Sequence, residues 1–357
     1  MEMKKKKLTG VLSGLRVVDL SAGLAGAFCG HALAQIGASV LALRPNPTGW
    51  YSNPDVEHMQ VLDSIKNIEK LDYYDPKCFD ALAGFCDGAQ LIIEERPSQG
   101  WPLGEPISGR IMGQNSSLTA LCISPNGLTG PRASYAAEPL NIYHSAGHAQ
   151  QIPCDPLWPE YKTRPPLQAG GFWGESQSGL IASIVAIAVL TGNGDWKGSI
   201  IDCSKQEALL QMHWTELVRY PNSGKIVDRL EPTITFVGGV QPARDGYVQI
   251  VCLEQHQWES LVKLLGEPDW MLSPDLATQA MRVSRWEEVA DLLSKETKKY
   301  AKEHLFREGQ ALKVPIAPIL TTAEIKNDKD LVRRGLFSRG DEVEDGLPRW
   351  DGSVFSA

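Results

Sequence analysis

Through about residue 220, short apolar runs without polar alternation are separated by stretches with helical spacing. Val17-Val18-Asp19-Leu20 reads as a buried strand, Val40-Leu41-Ala42-Leu43 as the next, and Leu91-Ile92-Ile93, Leu118 to Ile123 and Ser199-Ile200-Ile201-Asp202 as further candidate strands. Gly26 to Ile36, rich in small residues, reads as the helix joining the first two, so the chain opens with a βαβ unit. Phe79 to Phe85, Leu180 to Leu190 and Lys205 to Tyr220 continue as helices. This alternation predicts an α/β class, with a parallel, doubly wound, Rossmann-like sheet.

From Phe236 the pattern changes. Gly246 to Leu253 reads as a strand pair candidate, and Trp258 to Leu265 and Trp286 to Leu305 as amphipathic helices, punctuated by Pro268 and Pro274. A smaller α+β domain is expected there. Pro318-Ile319-Leu320 reads as a strand followed by a short helix, and the chain from Asp341 as polar and extended. The expected organisation is a large domain over 1–225, a small domain over 226–312, and a return to the large domain over 313–357.

Composition narrows the function. At 357 residues, 43% hydrophobic and 22% charged, the chain can bury two cores. The Leu180 to Leu190 run has about half the length of a bilayer span, so a core helix and no membrane role are expected. Neither the basic start Met1 to Lys7 nor the glycine-rich Leu8 to Gly14 supplies a signal-peptide core, and the seven cysteines are scattered without a CxxC pair. Those features predict a frayed N-terminus, a cytoplasmic, reducing setting, and neither zinc nor disulfides. A net charge of −8 speaks against a nucleic-acid partner. His144 and His148 are spaced to share a helix face, but without a third ligand they predict no metal site.

Several segments follow one another in a telling order. They are Leu12 to Ser21, Ala34 to Val40, Lys66 to Asp72, Asp87-Gly88-Ala89, Thr119 to Pro131 ending in Gly127-Leu128-Thr129-Gly130-Pro131, Gly170 to Leu190, and Gly198 to Ser204. Gly238-Gly239, Asp245-Gly246-Tyr247 and Val314 to Pro318 complete the series. In this succession the chain resembles the family III CoA-transferases, the group of formyl-CoA transferase, carnitine CoA-transferase and bile-acid-inducible protein F, which includes the α-methylacyl-CoA racemases. The resemblance implies a Rossmann-like large domain, a smaller domain, and an interlocked, ring-like dimer. It implies acyl-CoA and a small carboxylic acid as substrates, with coenzyme A as the group transferred.

It also implies site residues. The transferases carry a nucleophilic aspartate in a turn of the form G-D-S-x-S-G, and here the segment reads Gly174-Glu175-Ser176-Gln177-Ser178-Gly179. Glu175 keeps the carboxylate that attacks a thioester and leaves from an anhydride, extended by one methylene, roughly 1.5 Å. Gly238-Gly239 takes the place of the mobile glycine loop that covers the reactive carboxylate. Gly23, Leu24 and Ala25, where the first strand enters a helix, together with Arg44, Leu71, Glu95 and Arg96, correspond to coenzyme-binding positions. Phosphate approach to helix amides and tight helix–sheet packing both account for Gly23 to Gly26, while Arg44 and Arg96 are read either as phosphate forks or as solvated side chains. Glu138, where the racemases hold a histidine base, is either an acid–base partner of Glu175 or an exposed loop residue. Three functions follow: CoA transfer through Glu175, racemisation or isomerisation by Glu138 and Glu175, or a partner subunit in a heteromer with a paralogue.

Overall fold

The uninterrupted apolar runs fold as parallel strands. In a computed structural model of the chain, which describes residues 10–45, 56–152, 162–192, 196–226 and 236–334, β1 (Arg16–Ser21), β2 (Ser39–Arg44), β3 (Asn67–Lys70), β4 (Leu91–Glu95), β5 (Thr119–Ser124) and β6 (Ile200–Ser204) form one sheet in the order β3-β2-β1-β4-β5-β6. All neighbours pair parallel, which is the doubly wound nucleotide-fold order. The connecting helices are α1 (Leu24–Gln35), α2 (Val56–Asp63), α3 (Phe79–Cys86), α4 (Ser108–Met112), α5 (Pro139–Ser145), α6 (Trp173–Thr191), α7 (Lys205–Leu210) and α8 (Trp214–Ser223). Because side chains alternate along a strand, Val17, Leu91 and Ile93 join Ala25, Cys29 and Ala182 on one face, while Val18, Leu20 and Ile92 meet Leu82 and Ile111 on the other.

The apolar helix is longer than its Leu180 to Leu190 core, running 19 residues, enough by length and composition alone to cross a bilayer. Its inner side packs on α1, where a Cβ at Gly179 would lie 2.5 Å from the carbonyl oxygen of Ala25. Ala182, Ser183 and Ala186 are buried on that side. Leu180 and Ile184 remain 42% and 54% exposed, so the expected core helix is buried on one side only.

Contact density divides the chain into two units, the first made of residues up to 148, 168–218 and from 332, the second of 149–167 and 219–331. In the second, β7 (Val237–Ala243), β8 (Gly246–Cys252) and β9 (Ile316–Ile319) form an antiparallel sheet in that order, accompanied by α9 (Gln255–Leu264), α10 (Gln279–Ser284), α11 (Trp286–Thr297) and α12 (Lys302–Ala311). The short α13 (Thr322–Lys326) and α14 (Lys329–Arg333) follow. Two sequence expectations are corrected here. Trp286 to Leu305 is two helices, since the Tyr300 carbonyl accepts from the N–H of Arg244 and so leaves the helical ladder. The return to the large unit expected at 313 falls later, because Ile316 pairs with Ile250 of β8 and Val314 and Ile316 are buried in the second core. The extended tail from Asp341 and the frayed start at Met1 to Lys7 lie outside the described residues.

Candidate active site

Ligand sites in parallel sheets gather at the carboxyl ends of the strands. β4 ends there in two buried acids that face opposite ways, as successive strand residues must. Glu94 accepts the Tyr74 hydroxyl at 2.7 Å and the N–H groups of Ile107 and Ser108 at 2.9 Å each, satisfying the start of α4. Burial holds its pKa above the ordinary carboxylate value even so. Glu95 turns the other way: Oε2 accepts the N–H of Gly26 in the first turn of α1 at 2.8 Å, and Oε1 lies 2.5 Å from Lys205 Nζ.

Lys205, the first residue of α7, follows directly on β6, and its Nζ also lies 2.7 Å from Glu175 Oε2. Glu175 is only 4% exposed. Two buried carboxylates therefore share one buried ammonium. Burial pulls the Lys205 pKa down, but Glu175 and Glu95 outweigh it and raise the pKa well above the ordinary lysine value. For Glu95 burial dominates and raises the pKa; Lys205 only partly opposes it, and Glu175 adds to the rise.

The segment from Gly174 to Gly179, expected as a turn, is the beginning of α6: Ser176 N–H bonds to the Phe172 carbonyl at 2.9 Å and Ser178 Oγ to the Gly174 carbonyl at 2.9 Å. Its glycines serve close packing instead, since a Cβ at Gly174 would touch Tyr143 and Leu209, and one at Gly179 would collide with Ala25 and Phe28. Those approaches carry Glu175 to Lys205. A separate bond joins two of the segments singled out in the sequence: Asp202 Oδ2 accepts the N–H of Leu128 at 2.8 Å, and Gly127 before it adopts φ 91°, a left-handed conformation that favours glycine.

The remaining candidates are placed as follows. Arg44 is neither solvated nor a free phosphate fork. Its guanidinium donates to Asp63 (Nε and Nη2, both 2.8 Å) and to Asp19 (Nη2, 2.9 Å), and Lys66 Nζ completes the network at 2.7 Å from Asp19 and 2.9 Å from Asp63. Burial would raise the Asp19 pKa, but Arg44 and Lys66 outweigh it and hold the carboxyl well below the ordinary range. Arg96 is buried too, donating to the carbonyls of Tyr135 and Ser134 at 2.9 and 3.1 Å, with no ion pair among the described residues and Nε left without a partner.

At Gly23 a Cβ would lie 2.5 Å from Glu95 Oε1, so of the two sequence readings, phosphate approach and tight packing, the small residues Gly23 to Gly26 show close packing, admitting a protein carboxylate to the amides of α1. Leu24 and Ala25 are buried, and Leu71 packs against the second-face core. Glu138 is exposed at the N-cap of α5 and accepts from Ser98 Oγ at 2.9 Å, so the exposed reading holds and the group that meets Glu175 is Lys205. Gly238 and Gly239 are not a free loop, because they pair with Val251 and Ile250 within β7–β8. Both have positive φ, 127° and 83°, and a Cβ at Gly238 would strike the Ile250 carbonyl. His148 bonds through Nε2 to the Leu209 carbonyl and packs on Tyr143 and Trp173, and no metal-binding group of side chains occurs among the described residues.

The sequence matches CoA-transferase family III over residues 12–50 and 115–351. The chain belongs to that family. Among similar proteins, succinyl-CoA–D-citramalate CoA-transferase of Chloroflexus aurantiacus is 25% identical over 90% of this chain and 82% of its own length. Formyl-CoA:oxalate CoA-transferase of Afipia carboxidovorans is 22% identical, with 94% and 87% covered. A probable CoA-transferase of Mycobacterium tuberculosis is 26% identical over 82% of this chain, which spans 38% of that longer protein. In fold, a CaiB/BaiF family protein from Brucella suis superposes with a TM-score of 0.75 at 24% identity, covering 92% of this chain and 88% of that one.

Within this family III chain, sequence reading identified Glu175 and Glu95 separately and missed Lys205. Its one signal was position: a lysine immediately after a parallel strand, where carboxyl-end sites form, followed by the Glu207 amide that Ser204 caps.

Proposed function

We propose that the protein transfers coenzyme A between carboxylic acids with Glu175 as nucleophile. The observation that carries this reading is a buried carboxylate in the first turn of α6, oriented by an ammonium at 2.7 Å, in the segment that resembles the family's reactive turn. A Glu175 oxygen attacks the carbonyl carbon of the donor acyl-CoA. The C–O bond forms, the C–S bond breaks, and the CoA thiolate leaves a mixed anhydride. The thiolate then attacks the glutamyl carbonyl, releasing the donor carboxylate and leaving a glutamyl-CoA thioester. An acceptor carboxylate reverses both steps and regenerates Glu175, so no proton is gained or lost overall.

Relatives named as succinyl-CoA transferases support succinyl-CoA as the first donor to try. One of them is called an alpha subunit, which supports a multi-chain assembly, either a homodimer or a heteromer with a paralogue. The Arg96 guanidinium, buried without a carboxylate among the described residues, suits an anionic group of the coenzyme. Acyl transfer accounts for the geometry better than racemisation, because Glu138 is exposed and engaged at a helix start.

Incubation with succinyl-CoA should leave a CoA thioester on the peptide carrying Gly174 to Gly179. Glu175→Gln should remove that adduct and lower turnover by at least about a thousandfold with the fold intact. Full turnover in Glu175→Gln would show the nucleophile assignment to be wrong.

A further inference from the structure

The sharing of Lys205 between Glu95 and Glu175 raises a question that the nucleophile alone does not: why bury a second carboxylate against the reactive one? Glu95 reaches Lys205 at 2.5 Å and is held by the Gly26 N–H at 2.8 Å, so it is fixed from both oxygens. Glu175 reaches the same ammonium through Oε2 at 2.7 Å, and its Oε1 has no hydrogen-bond donor among the described residues. The cluster thus sets two carboxyl groups against one ammonium in a buried setting, where like charges weigh heavily.

We propose that Lys205 and Glu95 are a positioning pair for the reaction, in which Lys205 fixes Glu175 through Oε2 and leaves Oε1 free to attack, and Glu95 keeps the ammonium paired once Glu175 is acylated. This rests on Glu175 being the nucleophile. When Glu175 becomes an anhydride it loses its charge to the departing CoA thiolate, and when that thiolate forms the thioester the charge leaves with the donor carboxylate. The cluster passes from an excess of one carboxylate to a one-to-one pair of Glu95 and Lys205. Acylation therefore relieves the repulsion built into the resting site, and deacylation restores it. Without Glu95, acylation would instead leave a buried ammonium unpaired, which is costly.

The other titratable groups near the cluster do not supply this balance. Cys29 of α1 and Cys203 of β6 are neutral thiols, raised by burial, Cys203 to about 11. Asp202 and Glu207 on the flanks of Lys205 act on the Cys203 thiol, and Asp19 and Lys66 act on Cys29 from within their own network. Tyr143 and His148 pack on Trp173 at the start of α6, and the His148 Nε2 is bonded to the Leu209 carbonyl.

Three variants separate this role from space filling: Lys205→Met, Glu95→Gln and the double variant, each read by adduct formation with succinyl-CoA across a pH series. Lys205→Met should slow acylation about a hundredfold at neutral pH, and the acid limb of its profile should move upward, because two unpaired carboxylates share a proton. Adding Glu95→Gln should recover at least about tenfold of that loss, which no packing role of the lysine predicts. Glu95→Gln alone should lower kcat about tenfold with KM unchanged. A second measurement needs no acyl-CoA: infrared difference spectra, or glutamate carboxyl carbon NMR, should show a protonated carboxyl in Lys205→Met at neutral pH that is gone in the double variant. Wild-type acylation with an unshifted profile in Lys205→Met, or no such carboxyl in its spectrum, would overturn the proposal. If the spectra behave as expected but no adduct forms and Glu175→Gln turns over normally, the charge sharing stands and the nucleophile reading fails.

Discussion

The parallel sheet carries two buried charge clusters one turn apart along α1, beside Gly26 and Gly30, and they differ in one respect. Asp19, Arg44, Asp63 and Lys66 form a balanced set, two acids against two bases, with Arg44 and Lys66 each contacting both carboxylates. Glu95, Lys205 and Glu175 form an unbalanced set. A balanced network has no charge state better than the one it already has, so it ties β1, β2 and α2 together and does nothing else. An unbalanced one has a neighbouring state that is better, and the way to reach it is to take a charge off a carboxylate. The imbalance marks the cluster in which chemistry is expected.

The largest effect should come from unbalancing the balanced set. Asp63→Asn leaves one carboxylate against two buried cations and should cost about 3–5 kcal/mol in urea or thermal unfolding. The same network sets an acid limb. Asp19 and Asp63 both titrate below their ordinary values because Arg44 and Lys66 overcome the effect of burial. Their stabilisation is thus fully present above the unfolded value near about pH 4 and is lost as pH falls through the folded values. Below about pH 4, wild-type stability should fall by up to about 1.4 kcal/mol per pH unit for each carboxylate, and Asp63→Asn should flatten that slope.

How much of this was legible in the sequence follows from what a linear pattern can carry. The apolar runs at Val17, Val40, Leu91, Leu118 and Ile200 gave strands, their alternation gave a parallel sheet, and all are present. The sequence pattern puts the last strand at Pro318-Ile319-Leu320, whereas it runs Ile316–Ile319, and its partner Ile250 lies far back in the chain, so the small unit's extent was misplaced. Gly174 to Gly179 is expected as a turn because the resemblance to the transferases implies one, whereas here α1 and α7 demand small residues on one side of a helix. The charge clusters were least legible. Arg44 and Lys205 look like ordinary surface side chains, and nothing local tells that carboxylates distant in sequence will meet them.

Gly179→Ala tests whether the two clusters depend on the same helix contact. Its Cβ would press on the Ala25 carbonyl and the Phe28 side chain, at the turn of α1 nearest Glu95, while Gly30, the α1 residue beside Asp19, lies a turn further on. The variant should lose about 1–3 kcal/mol of stability through overpacking. It should reduce adduct formation at Glu175 further than its stability loss explains, since α6 carries that residue. If the acid limb set by Asp19 changes as well, the clusters are mechanically coupled and the contrast between them is weaker than the geometry suggests.

The smallest expected change is the sharpest test of the contrast, because it applies the same substitution chemistry to the other cluster. Glu175→Gln removes one negative charge, as Asp63→Asn does, but from a set that has one in excess. The amide is nearly the shape of the acid and can still accept from Lys205 Nζ through its oxygen, while Glu95 keeps the ammonium in a one-to-one pair. Repulsion between the carboxylates disappears and no cation is left unpaired. Stability should therefore be unchanged or rise, by about 0.5–2 kcal/mol, at the expense of activity, the pattern expected where a reactive site is held in a state that folding alone would not choose. The measurement is a pair of urea titrations at neutral pH, with circular dichroism to establish that both variants keep the wild-type fold. Opposite signs for Asp63→Asn and Glu175→Gln would establish that charge balance, not burial, distinguishes the clusters. A loss in Glu175→Gln as large as in Asp63→Asn would mean that Glu175 is a structural partner of Lys205, and that the excess carboxylate to be explained is Glu95.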